Sequence, residues 1–284
     1  MSSTARPGIA RAGLLAAAIA AICAIPAFAA AGTALAAPLP TLTLAASPSG
    51  ITASGLEVSG AVNVVATASG LKEPSIILFA LKPGSNAGEL ISYLEQQHND
   101  PNAAGKFGSI VVDEEGAPGK GSEAQTVLTP GNYVALVIEG EGKLKAHTAF
   151  TVAAAPSPAA LPAAEATEKT IDFRFRGPSA LHDGELVRFE NEGFLVHMDI
   201  AFPVRSKAAG KKLIKDLLTG SERQERKLIA GPPITFAGPL SSGSFQQETI
   251  TAKPGFYVQA CFMQTQDGID HTRLGMERLI GIAK

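Results

Sequence analysis

The 284-residue chain carries 24 basic and 26 acidic residues, a net charge of −2 with histidine neutral. That balance excludes a general nucleic-acid binder, which needs a clear basic surplus. With 29 glycines, 19 prolines and no tryptophan, and few long helical patterns, the composition points to an all-β protein.

Residues 1–36 read as an export signal. Arg6 and Arg11 supply the positive start, and residues 14–25 form an apolar run too short for a good membrane span. Ala34-Leu35-Ala36 offers a small-x-small cleavage site before Ala37, and Ala27-Phe28-Ala29 offers a second. Cys23 lies in the apolar run without a leucine three residues before it, which argues against a lipoprotein anchor. The expected location is therefore secreted or extracytoplasmic, in the cell envelope or periplasm, with a retained signal acting as an anchor as the other outcome. Signal removal leaves Cys261 as the sole cysteine. In an oxidising compartment such a survivor is a metal ligand, a reactive thiol, an intermolecular bridge or a buried inert residue.

Residues 37–152 hold 6 lysines against 11 acids, a net of −5. Residues 62–67 and 75–80 predict strands, and residues 88–94 predict a helix burying Leu90, Ile91 and Leu94. His98 reads as the solvated end of that helix. Thr129-Pro130-Gly131 predicts a turn into a strand over 133–138. Residues 153–169 are rich in proline and alanine and predict a semi-stiff, solvated linker.

Residues 170–284 hold 15 basic against 13 acidic residues, a net of +2. His182 falls in a turn with Asp183 and Gly184. Residues 186–191 alternate apolar and polar, the pattern of a half-buried strand, and 194–202 predict the next one. Residues 208–218 predict a helix with Leu213, Ile214, Leu217 and Leu218 on one face. Its other face and sequel are basic, with Lys207, Lys211, Lys212, Lys215, Arg223, Arg226 and Lys227. That face reads as solvated surface or as a docking patch near Lys211 for an acidic partner or the anionic envelope. Lys253-Pro254-Gly255 predicts a turn into a strand over 256–262. The two Pro-Gly pairs lie 124 residues apart, and His147-Thr148 and His271-Thr272 each follow their proline at 17 positions. This repetition predicts a diverged tandem duplication.

One thiolate, two imidazoles and a thioether make the ligand set of a trigonal His₂Cys copper site with a weak axial Met. His197, Cys261, His271 and Met276 supply that set. Residues 170–284 resemble the cupredoxins, the family of plastocyanins and azurins. The resemblance rests on Gly184-x-x-Val187-x-Phe189-x-Asn191-x-Gly193, then His197, the Pro254-Gly255-x-Tyr257 turn and strand, and Cys261, His271 and Met276. It implies two tandem cupredoxin-like Greek-key β-sandwiches, each with a short helical insert. It also implies one type 1 copper on the four named residues, used for electron transfer to a redox protein partner or for copper holding, in a protein that is not an enzyme. Nine residues separate Cys261 from His271, a longer connection than the family's, so Asp267-Gly268 must turn the chain back. By equal offset Val137 and Val152 stand for Cys261 and Met276 in the first half, with His147 alone surviving. The first half is thus a degenerate copy expected to hold no type 1 copper. Met198 and Met263 read as core packing on the far faces of their strands.

Two alternatives remain. One is a metal-free two-domain envelope module with the same fold. The other is a thiol-redox or copper-scavenging protein, which requires an exposed Cys261. No phosphate-binding glycine loop, G-x-S-x-G or H-E-x-x-H motif is present.

Overall fold

The computed structural model describes residues 38–55, 58–72, 74–97, 100–115, 121–140, 142–220 and 222–284. The expected export signal, with Cys23, and His98 lie outside the described residues. No helix among the described residues is long and apolar enough to cross a membrane.

The first half runs β1 (Thr41–Ser47), β2 (Gly50–Gly55), β3 (Gly60–Ala68), β4 (Ser75–Leu81), helices α1 (Ala87–Gln97) and α2 (Pro101–Ala104), then β5 (Gly108–Glu115), β6 (Ser122–Leu128), β7 (Gly131–Glu139) and β8 (Lys143–Val152). The second runs β9 (Ala166–Ile171), β10 (Arg174–Arg176), β11 (Ala180–His182), β12 (Leu186–Asn191), β13 (His197–Val204), helices α3 (Lys207–Thr219) and α4 (Glu222–Leu228), then β14 (Ile234–Leu240), β15 (Phe245–Thr249), β16 (Gly255–Ala260) and β17 (Glu277–Ala283).

In the first half β1 pairs antiparallel with β2 and parallel with β3. The antiparallel pairs β3–β6, β4–β5, β4–β7 and β7–β8 complete it. In the second half β9 pairs antiparallel with β10 and parallel with β12. The antiparallel pairs β12–β15, β13–β14, β13–β16 and β16–β17 follow. Each pairing of the first half has a counterpart in the second, and β11, parallel on β17, is an addition. The two Pro-Gly turns also fold alike: the Tyr133 hydroxyl donates to the Thr129 carbonyl at 3.0 Å, and Tyr257 to that of Lys253 at 2.8 Å.

Period-two burial builds the layers. Leu42, Leu44, Val62 and Val64 face Ile76, Leu78, Tyr133, Ala135 and Val137 across the first core. Val187 and Phe189 face Ala201, Tyr257 and Ile280 across the second. In each half a helix covers the outer face of one sheet: Leu90, Ile91 and Leu94 of α1 pack on Phe79, Val134 and Leu136, and Leu213 and Leu217 of α3 pack on Val258 and Ala260. The amphipathic pattern thus located both inserts, but of the face expected on α3 only Leu213 and Leu217 are buried, Ile214 is partly buried and Leu218 is exposed.

The halves share a sheet. Gln247 of β15 pairs with Gln125 of β6, which makes one eight-stranded sheet, while the opposing sheets of four and five strands stay separate. The proline-rich stretch between the halves keeps its residues 153–165 exposed or half-exposed, as expected of a solvated spacer, but its backbone is tied to both halves. Ala153 bridges Val58, the Ala61 N–H donates to the Ala159 carbonyl at 2.9 Å, and Gln247 Nε2 donates to the Pro162 carbonyl at 3.2 Å. The segment satisfies edge N–H groups of the first half, and its expected last residues, from Ala166 on, are strand β9. A Cβ at Gly60 would stand 2.8 Å from the Ala159 nitrogen, so this close approach requires glycine there.

The ladders correct the expected match between the last hairpins. His147 lies in β8 opposite Leu136, and Val152 opposite Gly131. In β16–β17, Ala260 faces Glu277 and Gly255 faces Ile282. By strand pairing, then, His147 corresponds to Glu277 and Val152 to Ile282, not to His271 and Met276. The equal 17-residue spacing is a coincidence of unequal connections.

Candidate metal centre

Three of the four sequence-derived residues bring their donor atoms together at one end of the second sandwich. Alternation along β13 turns His197, Asp199 and Ala201 inward. Cys261 follows the last residue of β16 and keeps the inward parity of Tyr257 and Gln259. His271 opens a 3-10 turn, His271–Leu274, and Met276 directly precedes β17. Cys261, His271 and Met276 are fully buried, and His197 is 1% exposed.

His197 Nδ1 lies 3.1 Å from His271 Nδ1, and the Cys261 sulfur lies 3.8 and 3.4 Å from those two nitrogens. Thiolate and imidazole bonds of about 2.0–2.3 Å to one ion leave donors roughly 3–4 Å apart. The three donors therefore fit a single ion. Met276 packs in the same buried cluster as Cys261 and Phe175, with Met198 and Met263 against its edge. Its backbone ties the loop: Cys261 N–H donates to the Met276 carbonyl, and Met276 N–H to that of His271.

The nine residues between Cys261 and His271 form a miniature hairpin. Gln264 bridges Asp270, the Thr265 N–H donates to the Ile269 carbonyl, and Gly268 turns the chain at φ +75°. Asp267-Gly268 is thus the turn that the sequence demanded. The His271 N–H donates to the Met263 carbonyl at 2.8 Å, which closes the hairpin and returns the imidazole to the thiol.

Asn191 explains the strand motif before His197. Its amide nitrogen donates to the carbonyls of Leu195 and Leu240 at 2.8 and 2.7 Å, and its oxygen accepts from the Gly193 N–H at 2.9 Å. This knot delivers the chain to His197. The expected strand over 194–202 consequently begins only at His197.

Three residues escaped sequence reasoning. Asp172 sits in the two-residue turn between β9 and β10 and accepts from His197 Nε2 at 3.0 Å. A carboxylate only accepts, so Nε2 holds the proton and Nδ1 presents its lone pair to the cluster. Burial raises the Asp172 carboxyl, but hydrogen bonds from His197 and from the N–H groups of Phe194 and Leu195 outweigh it and hold the group below its ordinary value. A Cβ at Gly193 would meet Asp172 Oδ1 at 2.5 Å and His197 Nε2 at 2.8 Å, so this pair requires a glycine. Phe173, with φ +59°, sets its ring edge-on to His271 at 5.2 Å between centroids. That backbone is costly for a non-glycine residue, and the hairpin tip bears it beside the site. Asn102, the third, belongs to the first half. A ligand histidine needs an acceptor on its other nitrogen; that need calls for a carboxylate near His197 but does not single out Asp172 in the sequence.

Burial favours the neutral imidazoles that a metal needs and opposes the thiolate. Burial, and then the neighbouring His197, bring His271 down to about 4. Burial lowers His197 against the pull of Asp172. Burial pushes the Cys261 thiol up to about 12, although the Met198 N–H donates to its sulfur at 3.4 Å. A buried, fully protonated thiol is a poor nucleophile, which removes the ground for the exposed-thiol reading.

No family model and no curated protein matches this chain. Solved structures do. A dithionite-reduced auracyanin from the photosynthetic bacterium Roseiflexus castenholzii shares 18% identity over 42% of this chain and 95% of its own, with a TM-score of 0.26. A copper-containing nitrite reductase from Thermus scotoductus shares 12% over 86% of this chain and 67% of its own, with a TM-score of 0.25. A multicopper oxidase shares 11% over 86% and 88%, with a TM-score of 0.22. Likenesses this distant say nothing of whether the chain is an enzyme. The chemistry of the site rests on its own donor geometry.

Proposed function

We propose that this chain is an extracytoplasmic copper protein that carries electrons or holds copper, with one ion on His197, Cys261 and His271 and Met276 as a weak axial ligand. The observation that carries this reading is the convergence of one thiol and two imidazoles, 3.1–3.8 Å apart, in a buried pocket. Bound copper would supply a one-electron couple there. The chain supplies the rest: Asp172 fixes the His197 tautomer, the Met198 N–H supports the sulfur, and Phe173 covers His271. A donor set held this firmly from several elements changes little between oxidation states, which suits electron transfer. The first half, with Val137 in the inward position that Cys261 holds, is read as a diverged copy without type 1 copper. Residues 1–36 support export. A redox protein is the expected partner, and the basic face of α3 offers one docking surface for it or for the anionic envelope.

The test is stoichiometry. Full-length mature protein loaded with Cu(II) and desalted should retain one copper per chain, and Cys261→Ser should lose that tightly held ion. A wild type that retains no copper would sink the assignment in favour of the metal-free module, and equal retention of one ion by both proteins would place that ion away from Cys261.

A further inference from the structure

We propose that Asn102, a residue of the first half, is a positioning residue for the metal centre of the second. The proposal rests on the copper reading above. Asn102 Oδ1 accepts from the Val196 N–H at 2.7 Å, and its Nδ2 donates to the Gln264 carbonyl at 3.1 Å. Val196 directly precedes His197. Gln264 lies in the hairpin between Cys261 and His271 and follows Met263, whose carbonyl receives the His271 N–H. One side chain therefore grips both segments that carry imidazoles. The partners also fix the amide's orientation, since a backbone N–H needs the oxygen and a carbonyl needs the N–H₂.

The grip is prepared within the first half. Asp100 caps α2, its carboxylate accepting from the N–H groups of Asn102 and Ala103 at 2.9 and 3.2 Å, with Pro101 next in the first turn. Asn102 thus starts from a fixed backbone, and its side chain loses little freedom on bonding. Packing continues the clamp: Val196 is buried among Phe79, Leu90, Ile110 and Leu136, and Met263 packs against the same cluster. The long Cys261–His271 connection costs the site preorganisation, and this clamp restores it from outside the domain. The degenerate half then has a task that needs no metal of its own.

The test uses the full mature chain with Asn102→Ala and Asn102→Asp. In the metal-free proteins, amide exchange at Val196 and His271 should rise about tenfold in Asn102→Ala, the scale of one lost hydrogen bond. The Leu136 amide, in the ladder of the first half, should not change. Asn102→Asp keeps an acceptor but no donor, so it should restore protection at Val196 and leave His271 exposed. In copper-loaded protein, release to a chelator should accelerate in Asn102→Ala. Unchanged exchange at Val196 and His271 would overturn the proposal, as would altered exchange with copper release equal to wild type, which would leave Asn102 a structural tie only. Because exchange is read without metal, a wild type that takes up no copper would defeat the copper reading separately. Should Asn102→Ala fail to fold, the split between Val196 and His271 in Asn102→Asp still decides.

Discussion

The last hairpins of the two halves share a ladder and differ in their connection. β7 reaches β8 through residues 140–142, whereas β16 reaches β17 through residues 261–276. The short turn lets β8 start early, and Val137 simply fills the first core. The long connection keeps the same inward position, as Cys261, and then adds a hairpin, a 3-10 turn and a buried methionine. The difference teaches that the sandwich itself does not bring the His-Cys-His cluster together. The connection does, with His197 of β13 and with neighbouring elements that hold it: the β9–β10 turn through Asp172, and α2 through Asn102.

The largest break in this comparison should come from Asn191, the knot before His197. Asn191→Ala leaves the buried Leu240 carbonyl without this donor, at a cost of about 1–3 kcal/mol, and the half-buried Leu195 carbonyl at a smaller one. Denaturant unfolding should show a loss of that order, and copper uptake should fall with it. Asp172→Ala should act on the metal more than on the fold. Loss of the partner that orients His197 should weaken copper affinity about 10- to 100-fold, read by competition with a chelator. Asp172→Asn, with its oxygen still able to accept, should recover part of that loss.

A third prediction lies in the first half. Burial raises the Asp113 carboxyl to about 7, with Ser75 donating to it and Glu114 and Glu115 nearby. The folded protein keeps that proton while the unfolded chain loses it near the ordinary value of 3.8. The unfolded state therefore binds fewer protons between those values, and this group's contribution to stability falls as pH rises from about 4 to 7. Asp113→Asn should raise the melting temperature by several degrees at pH 8 relative to wild type, with the gain shrinking toward pH 4. A gain independent of pH would contradict the assignment. The smallest effect is expected at His147, which is exposed on β8 opposite Leu136. His147→Ala should change neither copper stoichiometry nor spectrum, whereas a measurable change would revive its equivalence with His271.

What was legible in the sequence follows chain distance. Cys261, His271 and Met276 occupy one short stretch, and His197 follows an alternating strand that ends in Asn191-x-Gly193; the resemblance carried on those motifs named the three residues, His197, Cys261 and His271, whose donor atoms meet. The helical inserts were legible because their apolar faces repeat at 3.6 residues. Asp172 and Asn102 were not legible, because they act across 25 and 94 residues and their meaning arises only when sheets pair. The linker was legible in part for a related reason: its composition reports the low burial it has, but not that its carbonyls complete the edge of the first half. The match of His147 to His271 failed because equal spacing in sequence says nothing of how many residues a turn consumes.

The central claim is that the thiol of Cys261 and the two imidazoles hold copper directly, and absorption spectroscopy on Cu(II) addition to the metal-free, full-length mature protein tests it. The account predicts an intense blue thiolate-to-copper band that saturates at one equivalent, is absent in Cys261→Ser and persists in Met276→Leu with a raised reduction potential. A wild type that stays colourless through one equivalent, with Cys261 reduced and still shielded from alkylation, would contradict it.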